Sequence, residues 1–312
     1  MRKETSYLSM DGKTLLHGWR YTPSEHPKAV LLISHGMNEY IDRYAPFAEW
    51  LSQRGWAVYG HDHLGHGASV RSEKDWGYFG EQAHPMDLLV EDIHTMRKLA
   101  EKDFPGLPVF LLGHSMGSFV VRKYIILYGA GLSGCAIVGT GWMSAAVTGG
   151  GKAVLKLLTR FQGSRARSSF ASGLTFGGKD YKAYDTTGTD PTRSWLTKDV
   201  DIVKRYFADP RCTYTFTLNG FYGLVDCVSY VCKPTNIAKT PKELPLYITS
   251  GSEDPVGAMG KGPTAVAEAF RRAGCRDVTL KLYPGDRHEI LNETDRDQVW
   301  LDFAQWFESK LP

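Results

Sequence analysis

Apolar positions in the first 142 residues follow two alternating periods. Short apolar runs, typical of strands that are covered on both faces, occur at 30–34, 56–59, 109–112 and 135–138. Between these runs, apolar residues recur at helical spacing over 44–51 and 89–100. Two further strand-like segments, 5–10 and 14–21, flank Asp11-Gly12, which is a hairpin signal. Strands that alternate with helices predict an α/β fold in which a mostly parallel sheet carries helices on both faces.

The alternation stops after Trp142 and resumes with an apolar run at 246–248. A helix-like segment over 263–273, a strand at 278–282 and a terminal helix complete the pattern. We therefore expect a core made of residues 1–142 and 241–312. Residues 143–240 are expected to form an inserted lid, because a connection of this length is unusual within a compact domain.

The strand predicted at 109–112 leads into Gly113-His114-Ser115-Met116-Gly117 and then into a helix-compatible apolar run. Glycines two residues before and after a serine are required if the chain turns tightly from strand to helix and exposes the hydroxyl. This context predicts that Ser115 is a nucleophile rather than part of an ordinary glycine-rich corner.

A serine nucleophile needs a base to accept its proton and a carboxylate to orient that base. In a parallel sheet these groups follow the carboxyl ends of strands. His288 follows the strand at 278–282, and no other histidine lies downstream of Ser115. Asp254 follows the strand at 246–248 and is the predicted orienting carboxylate, with Glu253 and Asp286 as its rivals.

The oxyanion of an acyl-transfer intermediate requires preorganised N–H donors. The backbone amide of Met116, directly after the nucleophile, is the first predicted donor. His35-Gly36 follows the strand at 30–34 and allows the chain to turn back, so the amide of Met37 is the second. An ordinary glycine turn is the alternative interpretation.

A metal site is a competing interpretation of the loop His61-Asp62-His63-Leu64-Gly65-His66, where three histidines lie close together. Zinc hydrolases with an H-x-H-x-D-H motif carry an acidic residue where this chain has Gly65, and no later set completes a ligand shell. We therefore predict no metal at this loop, which is expected to organise the chain beside the site.

Composition and charge indicate the class of protein, its partners and its location. The chain has 312 residues, with 42% hydrophobic and 23% charged residues and a formal net charge of +3, and no long basic run interleaved with aromatics. These values are typical of globular proteins and argue against a nucleic-acid partner. Five cysteines without a C-x-x-C pair, and an N-terminus without an apolar export segment, favour a soluble cytoplasmic protein.

Taken together, these motifs resemble those of the monoacylglycerol lipase and lysophospholipase group of α/β-hydrolases. The resemblance is carried by His35-Gly36 with Glu39 and Arg43, Asp62 to Ser69, Gly113 to Gly117, Ser252 to Val256 and Gly285 to Glu289. It implies an eight-stranded α/β-hydrolase fold with a mainly helical lid over an apolar acyl tunnel. It also implies hydrolysis of monoacylglycerols or similar single-chain acyl esters through an acyl-serine, without a cofactor.

The resemblance further implies that Glu39, Arg43 and His114 form a polar pocket for the glycerol head, and that Tyr206 is a lid tyrosine that contacts substrate. Met37-Asn38 stands where the family more often has small residues, and the lid is long and polar. These departures affect the substrate rather than the chemistry. A lysophospholipase, a small-ester carboxylesterase and an amide- or peptide-cleaving enzyme remain alternatives. A non-catalytic ligand-binding member is disfavoured because all three triad residues are present.

One lid segment, 152–161, is amphipathic. Its basic face carries Lys152, Lys156 and Arg160, and its apolar face carries Val154, Leu157, Leu158 and Phe161. We expect the apolar face to pack on the core, with transient contact of the helix with an anionic membrane as the alternative. The lid aromatics Phe216, Phe221, Tyr222 and Tyr230 either line an acyl channel or form the lid's own core. The sequence does not determine the oligomeric state.

Overall fold

An eight-stranded β-sheet runs through the structure, a computed structural model that describes residues 1–312 apart from the side chains of Leu174 and Phe176. Its strands are β1 (Arg2–Leu8), β2 (Leu15–Tyr21), β3 (Ala29–Ser34), β4 (Trp56–His61), β5 (Val109–His114), β6 (Gly134–Val138), β7 (Leu246–Gly251) and β8 (Val278–Tyr283). The spatial order is β1-β2-β4-β3-β5-β6-β7-β8. The first two strands pair antiparallel and the other six are parallel to one another. The predicted fold class is confirmed.

Helices cover both faces of the sheet, which explains why every residue of β3 to β7 is buried. On one face lie α1 (Ala45–Ser52) and α11 (Arg296–Glu308), whose Phe47 and Phe303 enter one apolar cluster. On the other face lie α2 (Asp87–Asp103), α3 (Met116–Tyr128) and α10 (Lys261–Arg272), which contribute to a second cluster. The sheet therefore separates two cores.

Between β6 and β7 the chain leaves the sheet and adds a set of helices. These are α4 (Ala145–Gln162), α5 (Ser169–Phe176), α6 (Val200–Ala208), α7 (Pro210–Thr213), α8 (Leu218–Val231) and α9 (Pro234–Ile237). We call residues 143–240 the insert. The helices agree with the mainly helical segment that the sequence predicts, and the division of the chain into core and lid stays a prediction.

The orientation of α4 contradicts one expectation. Leu157 is 58% exposed and Phe161 is 77% exposed, and Val154 is exposed as well, whereas Leu158 packs against the core. The prediction that the apolar face of this helix packs on the core is therefore wrong for three of its four residues. The helix instead presents Thr148 and Leu155 to the interior and packs against α8. Lys152, on the predicted polar face, pairs with Asp226 of α8 at 3.2 Å. Because the side of the helix that carries Thr148, Lys152 and Leu155 packs towards α8, Leu157 and Phe161 are left at the surface.

Among the described residues, no helix combines the length and the apolar character that crossing a bilayer requires. The five cysteines are all free and buried.

Candidate active site

Ser115 occupies the tight turn between β5 and α3. Its backbone has φ 53° and ψ −120°, a conformation that non-glycine residues rarely adopt. The neighbouring chain explains the glycines of the motif. A side chain at Gly113 would collide with the carbonyl oxygen of Gly117, and one at Gly117 would collide with the carbonyl oxygen of Ser34. The end of β5, the start of α3 and the end of β3 therefore lie so close together that only glycine fits at 113 and 117, and the chain turns sharply at Ser115.

His288 and Asp254 lie in the loops that follow β8 and β7. The Nδ1 atom of His288 is 3.0 Å from Oδ1 of Asp254, and both side chains are almost fully buried. Asp254 also accepts hydrogen bonds from the Ser250 hydroxyl at 2.7 Å and from the Val256 amide at 2.8 Å. Since the carboxylate can only accept, Nδ1 of His288 carries the proton and Nε2 is left to act as a base.

Burial by itself would raise the pKa of Asp254. The charge of His288 and the hydrogen bonds from His288, Ser250 and Val256 outweigh that effect, so the pKa of Asp254 is lowered. Asp254 is therefore ionised at neutral pH, as the orienting partner of an imidazole must be.

The two rival carboxylates lie elsewhere. Asp286 is buried and pairs with Lys198 of the insert at 2.7 Å, and Glu253 is exposed. The structure thus brings Asp254 to His288 and keeps both rivals out of contact with the imidazole.

The predicted oxyanion donors belong to segments next to Ser115: Met116 directly follows it, and a side chain at Gly36, the residue before Met37, would lie 3.0 Å from the Ser115 Cβ. Met116 is the first residue of α3, so its amide has no acceptor within the helix. The loop after β3, residues 35–40, which we call the oxyanion loop, is held by two hydrogen bonds: His35 donates from Nδ1 to the Gly36 carbonyl at 2.8 Å, and the Gly36 amide donates to Oε1 of Glu39. The bond to the Gly36 carbonyl holds the peptide unit between Gly36 and Met37, and because that unit is planar it also fixes the direction of the Met37 amide. The bond from the Gly36 amide holds the preceding peptide unit.

A cavity of about 880 Å³ opens beside the serine, and Ser115 and His288 both line it. Much of its remaining wall is apolar and comes from the insert and from α3, namely Phe119, Val147, Val154, Leu155, Phe216, Phe221, Leu224, Val225 and Val228. Phe216 and Phe221 thus contribute to the cavity, whereas Tyr222 and Tyr230 are not part of its described lining. Met37 and Met116 also line it.

Next to the triad lies a buried group of charged side chains. Arg43 forms a bidentate pair with Glu289 at 2.7 and 2.6 Å and also donates to Glu39 at 2.9 Å. His114 lies 3.2 Å from Glu39 through Nδ1 and 3.1 Å from the carbonyl oxygen of His288 through Nε2. Glu39, His114 and Glu289 reach the cavity wall, but Arg43 is not part of its described lining.

Mutual attraction overcomes the cost of burying these charges. Burial would raise the pKa of Glu39, but the hydrogen bond and charge of His114 and the charge of Arg43 lower it well below its ordinary value. Burial would likewise lower the pKa of His114, but the hydrogen bond and charge of Glu39 raise it. Arg43 and its bonds also lower the pKa of Glu289 against the effect of burial.

Tyr206, the predicted lid tyrosine, is buried in α6 and lines the cavity. Its ring lies 4.9 Å from the Arg43 guanidinium, which is within the range of a cation–π contact. The insert therefore contacts the charged group of the core directly through this residue.

The histidine-rich loop after β4 is packed in the interior. Burial and the neighbouring His35 lower the pKa of His61 to about 3 and hold the pKa values of His63 and His66 well below their ordinary value. Asp62 accepts the amides of Ile41 at 2.7 Å and Ala68 at 2.8 Å, which ties this loop to the oxyanion loop. Within the part of the chain that the structure describes, no group of three or more potential ligands is arranged to hold a metal ion.

The sequence of this chain matches a known protein family. Residues 25–295 match the protein family described as serine aminopeptidase, S33. The chain belongs to this family. The α/β-hydrolase resemblance that the sequence motifs indicate is thereby confirmed.

Several relatives of known activity match this chain over most of its length. The monoacylglycerol lipase of Mycolicibacterium smegmatis is 28% identical over 312 residues, covering 99% of this chain and 98% of that protein. The monoglyceride lipase of Mus musculus is 27% identical over 289 residues, covering 92% and 83%. A thermostable carboxyl esterase from Bacillus coagulans, solved in complex with glycerol, superposes with a TM-score of 0.90 at 31% identity, covering 100% of this chain and 99% of that one.

Two residues at the site have contacts that the sequence did not predict. Glu289 contributes the bidentate partner of Arg43, and the backbone carbonyl of Trp195 in the insert accepts the His288 amide at 3.3 Å, with the Trp195 ring 5.0 Å from the imidazole. Glu289 could have been noticed because it directly follows His288. Trp195 carries no local signal, since its role depends on a contact across more than 90 residues of chain.

Proposed function

We propose that this serine hydrolase of the S33 family cleaves monoacylglycerols. Ser115 attacks the ester carbonyl, His288 accepts the serine proton and then returns it to the leaving alcohol, and Asp254 orients the imidazole. The amides of Met37 and Met116 stabilise the oxyanion. Water then attacks the acyl-serine, with His288 again as base, to release the fatty acid. The observation that carries the proposal is the placement of Ser115 and His288 in the wall of a large, mainly apolar cavity.

The charges around the cavity favour an uncharged glycerol ester over a substrate with a phosphate on its leaving group or a free amine on its acyl group. Among its described lining residues there is no lysine or arginine that could pair with the phosphate of a lysophospholipid. The carboxylates among them are Glu39 and Glu289, and both are already paired with buried cations. An aminopeptidase substrate would need a free carboxylate for its amino terminus, so the glycerol ester fits best.

Residues 143–240 form the lid in this proposal, and α4 and α5 present their exposed apolar residues to a lipid surface. The set comprises Val147, Val154, Leu157 and Phe161 of α4, Phe170 of α5 and Met143 just before α4. Met143, Val147 and Val154 also line the cavity. A substrate held in a membrane would therefore meet an apolar surface that continues into the site.

Hydrolysis of a substrate panel tests the proposed function. The panel contains monoacylglycerols of increasing chain length, lysophosphatidylcholines with matching chains, short-chain esters and an aminoacyl amide. We expect the highest kcat/KM for a monoacylglycerol. Higher kcat/KM for the lysophospholipid or the amide would contradict the proposal.

The Ser115→Ala variant is the control for the chemistry. Removing the nucleophile should lower kcat by about 10⁴-fold or more without loss of folded structure by circular dichroism. Retained turnover in that variant would show that the hydrolysis does not proceed through Ser115.

A further inference from the structure

Four buried side chains form what we call the charge frame: Glu39, Arg43, His114 and Glu289. Their side chains are between 4% and 10% exposed. Two acidic and two basic groups make the frame neutral overall. Burying four charges is costly unless each has partners, so an arrangement this complete points to a specific role.

The frame reaches the oxyanion loop, the nucleophile and the base, each through a neighbour in the chain. Glu39 accepts the amide of Gly36, the residue before the predicted donor Met37. His114 directly precedes Ser115, and Glu289 directly follows His288. The frame thus joins the loops after β3, β5 and β8 at the point where their functional groups must meet.

His114 is held in its doubly protonated form by its surroundings. Its Nδ1 faces the carboxylate of Glu39 and its Nε2 faces the carbonyl oxygen of His288, at 3.2 and 3.1 Å. Both neighbours accept hydrogen bonds, so both ring nitrogens must donate. The imidazolium therefore links the serine strand directly to the backbone of the catalytic histidine.

Each carboxylate of the frame also accepts a hydrogen bond from a residue outside the frame. Oε1 of Glu39 also accepts the Tyr44 hydroxyl at 2.9 Å, and Glu289 also accepts from Asn292 at 3.0 Å. Oε2 of Glu39 and Oε1 of Glu289 each accept one hydrogen bond, from Arg43, so a glycerol hydroxyl could still donate to either carboxylate. The pocket for the glycerol head that the family resemblance implies for Glu39, Arg43 and His114 is therefore compatible with the frame, and experiment must separate the two roles.

We propose that Glu39, Arg43, His114 and Glu289 are positioning residues that hold the nucleophile, the base and the oxyanion loop in register, whatever alcohol the substrate carries. The inference rests on the proposed ester hydrolysis. A displacement of about 1 Å in such groups lowers rates by about 100-fold, so loss of a frame contact should reduce turnover rather than substrate binding.

Paired substrates separate this role from head-group binding. A monoacylglycerol and the methyl ester of the same fatty acid share the acyl chain and differ only in the alcohol. For Glu289→Gln we expect kcat to fall by about 10- to 100-fold for both esters, by similar factors, with KM changed by less than about threefold. A raised KM for the glycerol ester alone, with normal kcat for the methyl ester, would overturn the proposal.

A second variant separates positioning from charge. Arg43→Lys keeps the positive charge but cannot bridge Glu39 and Glu289 with a planar fork. We expect it to slow both esters as well, so wild-type kcat on both would contradict the frame. Glu268→Gln is the matched control, since Glu268 forms an exposed pair with Arg272 in α10 and should leave both esters unchanged.

The rate of labelling by a fluorophosphonate supplies a readout that needs no ester substrate. We expect Glu289→Gln and Arg43→Lys to be labelled more slowly than wild type, with thermal unfolding recorded to establish that each variant is folded. If wild type hydrolyses neither ester, the proposed function fails, whereas the labelling rates still decide the role of the frame. Labelling of both folded variants at the wild-type rate would overturn it.

Discussion

At the scale of single residues, Ser115 combines a strained backbone with a half-buried side chain that lines the cavity. A non-glycine residue with positive φ costs about 1–3 kcal/mol, and here close contacts of Gly113 and Gly117 with neighbouring chain hold the turn in place. The same geometry places the Met116 amide at the start of α3, where it has no helical acceptor. The strain is therefore tied to the position of both the hydroxyl and the adjacent amide.

This strain predicts a difference between two inactive variants. Ser115→Gly relieves the unfavourable φ, whereas Ser115→Ala keeps it, so the glycine variant should be more stable to unfolding by about 1 kcal/mol. Urea denaturation of the two proteins, at equal m-values, measures the difference. A glycine variant no more stable than the alanine variant would show that the turn stores no such strain.

At the scale of secondary-structure elements, α4 shows how packing overrides a sequence pattern. Its periodicity is clear, but periodicity gives the existence of two faces and not which of them meets the protein. The pairing of Lys152 with Asp226, together with the burial of Thr148 and Leu155, turns Leu157 and Phe161 to the surface.

The exposed apolar face predicts lipid binding that can be separated from catalysis. Replacing both Leu157 and Phe161 by serine removes two side chains that would each contribute about 1.5–3 kcal/mol if fully buried in lipid. We expect sedimentation with phosphatidylcholine vesicles to weaken by about tenfold or more, while kcat/KM for a water-soluble ester stays unchanged.

Leu301→Ser is the matched control, because Leu301 is 40% exposed on α11 of the core and should not affect vesicle binding. Equal vesicle binding by wild type and the double variant would refute a role of α4 at the lipid surface.

At the scale of the whole molecule, the charge frame is expected to make the folded state less stable both at low pH and at high pH. The pKa of Glu39 is lowered from 4.5, so its contribution is complete above that value and is lost as the pH falls towards the folded-state pKa. The pKa of His114 is raised from 6.5, so its contribution is complete below that value and is lost as the pH rises through the folded-state pKa. Both contributions to the free energy of unfolding are therefore complete between pH 4.5 and pH 6.5.

A comparison of wild type with Glu39→Gln tests this dependence. The difference in free energy of unfolding should be largest near pH 5.5 and should decrease below pH 4.5 by at most about 1.4 kcal/mol per pH unit. Denaturant titrations at pH 3, 5.5 and 8 measure it. A difference that stays constant across this range would mean that the two charges do not stabilise the folded state through each other.

Much of the fold follows from local patterns. The apolar runs of the core strands, the helical spacing between them and the glycines around Ser115 determine the mostly parallel sheet and the strand–turn–helix that carries the serine. The chain order of Ser115, Asp254 and His288 follows from the rule that functional groups lie after parallel strands. These features are readable because each depends on residues that are neighbours in sequence.

Only the tertiary structure decided which of the nearby polar groups meet. It paired Asp286, a rival of Asp254, with Lys198 of the insert, enclosed Arg43 between Glu39 and Glu289, and placed Trp195 against the imidazole. It also decided which face of α4 is exposed. The physical reason is the same in each case. Contacts between segments far apart in the chain depend on how the elements pack, and the periodicity of one segment does not show which other segment it will contact.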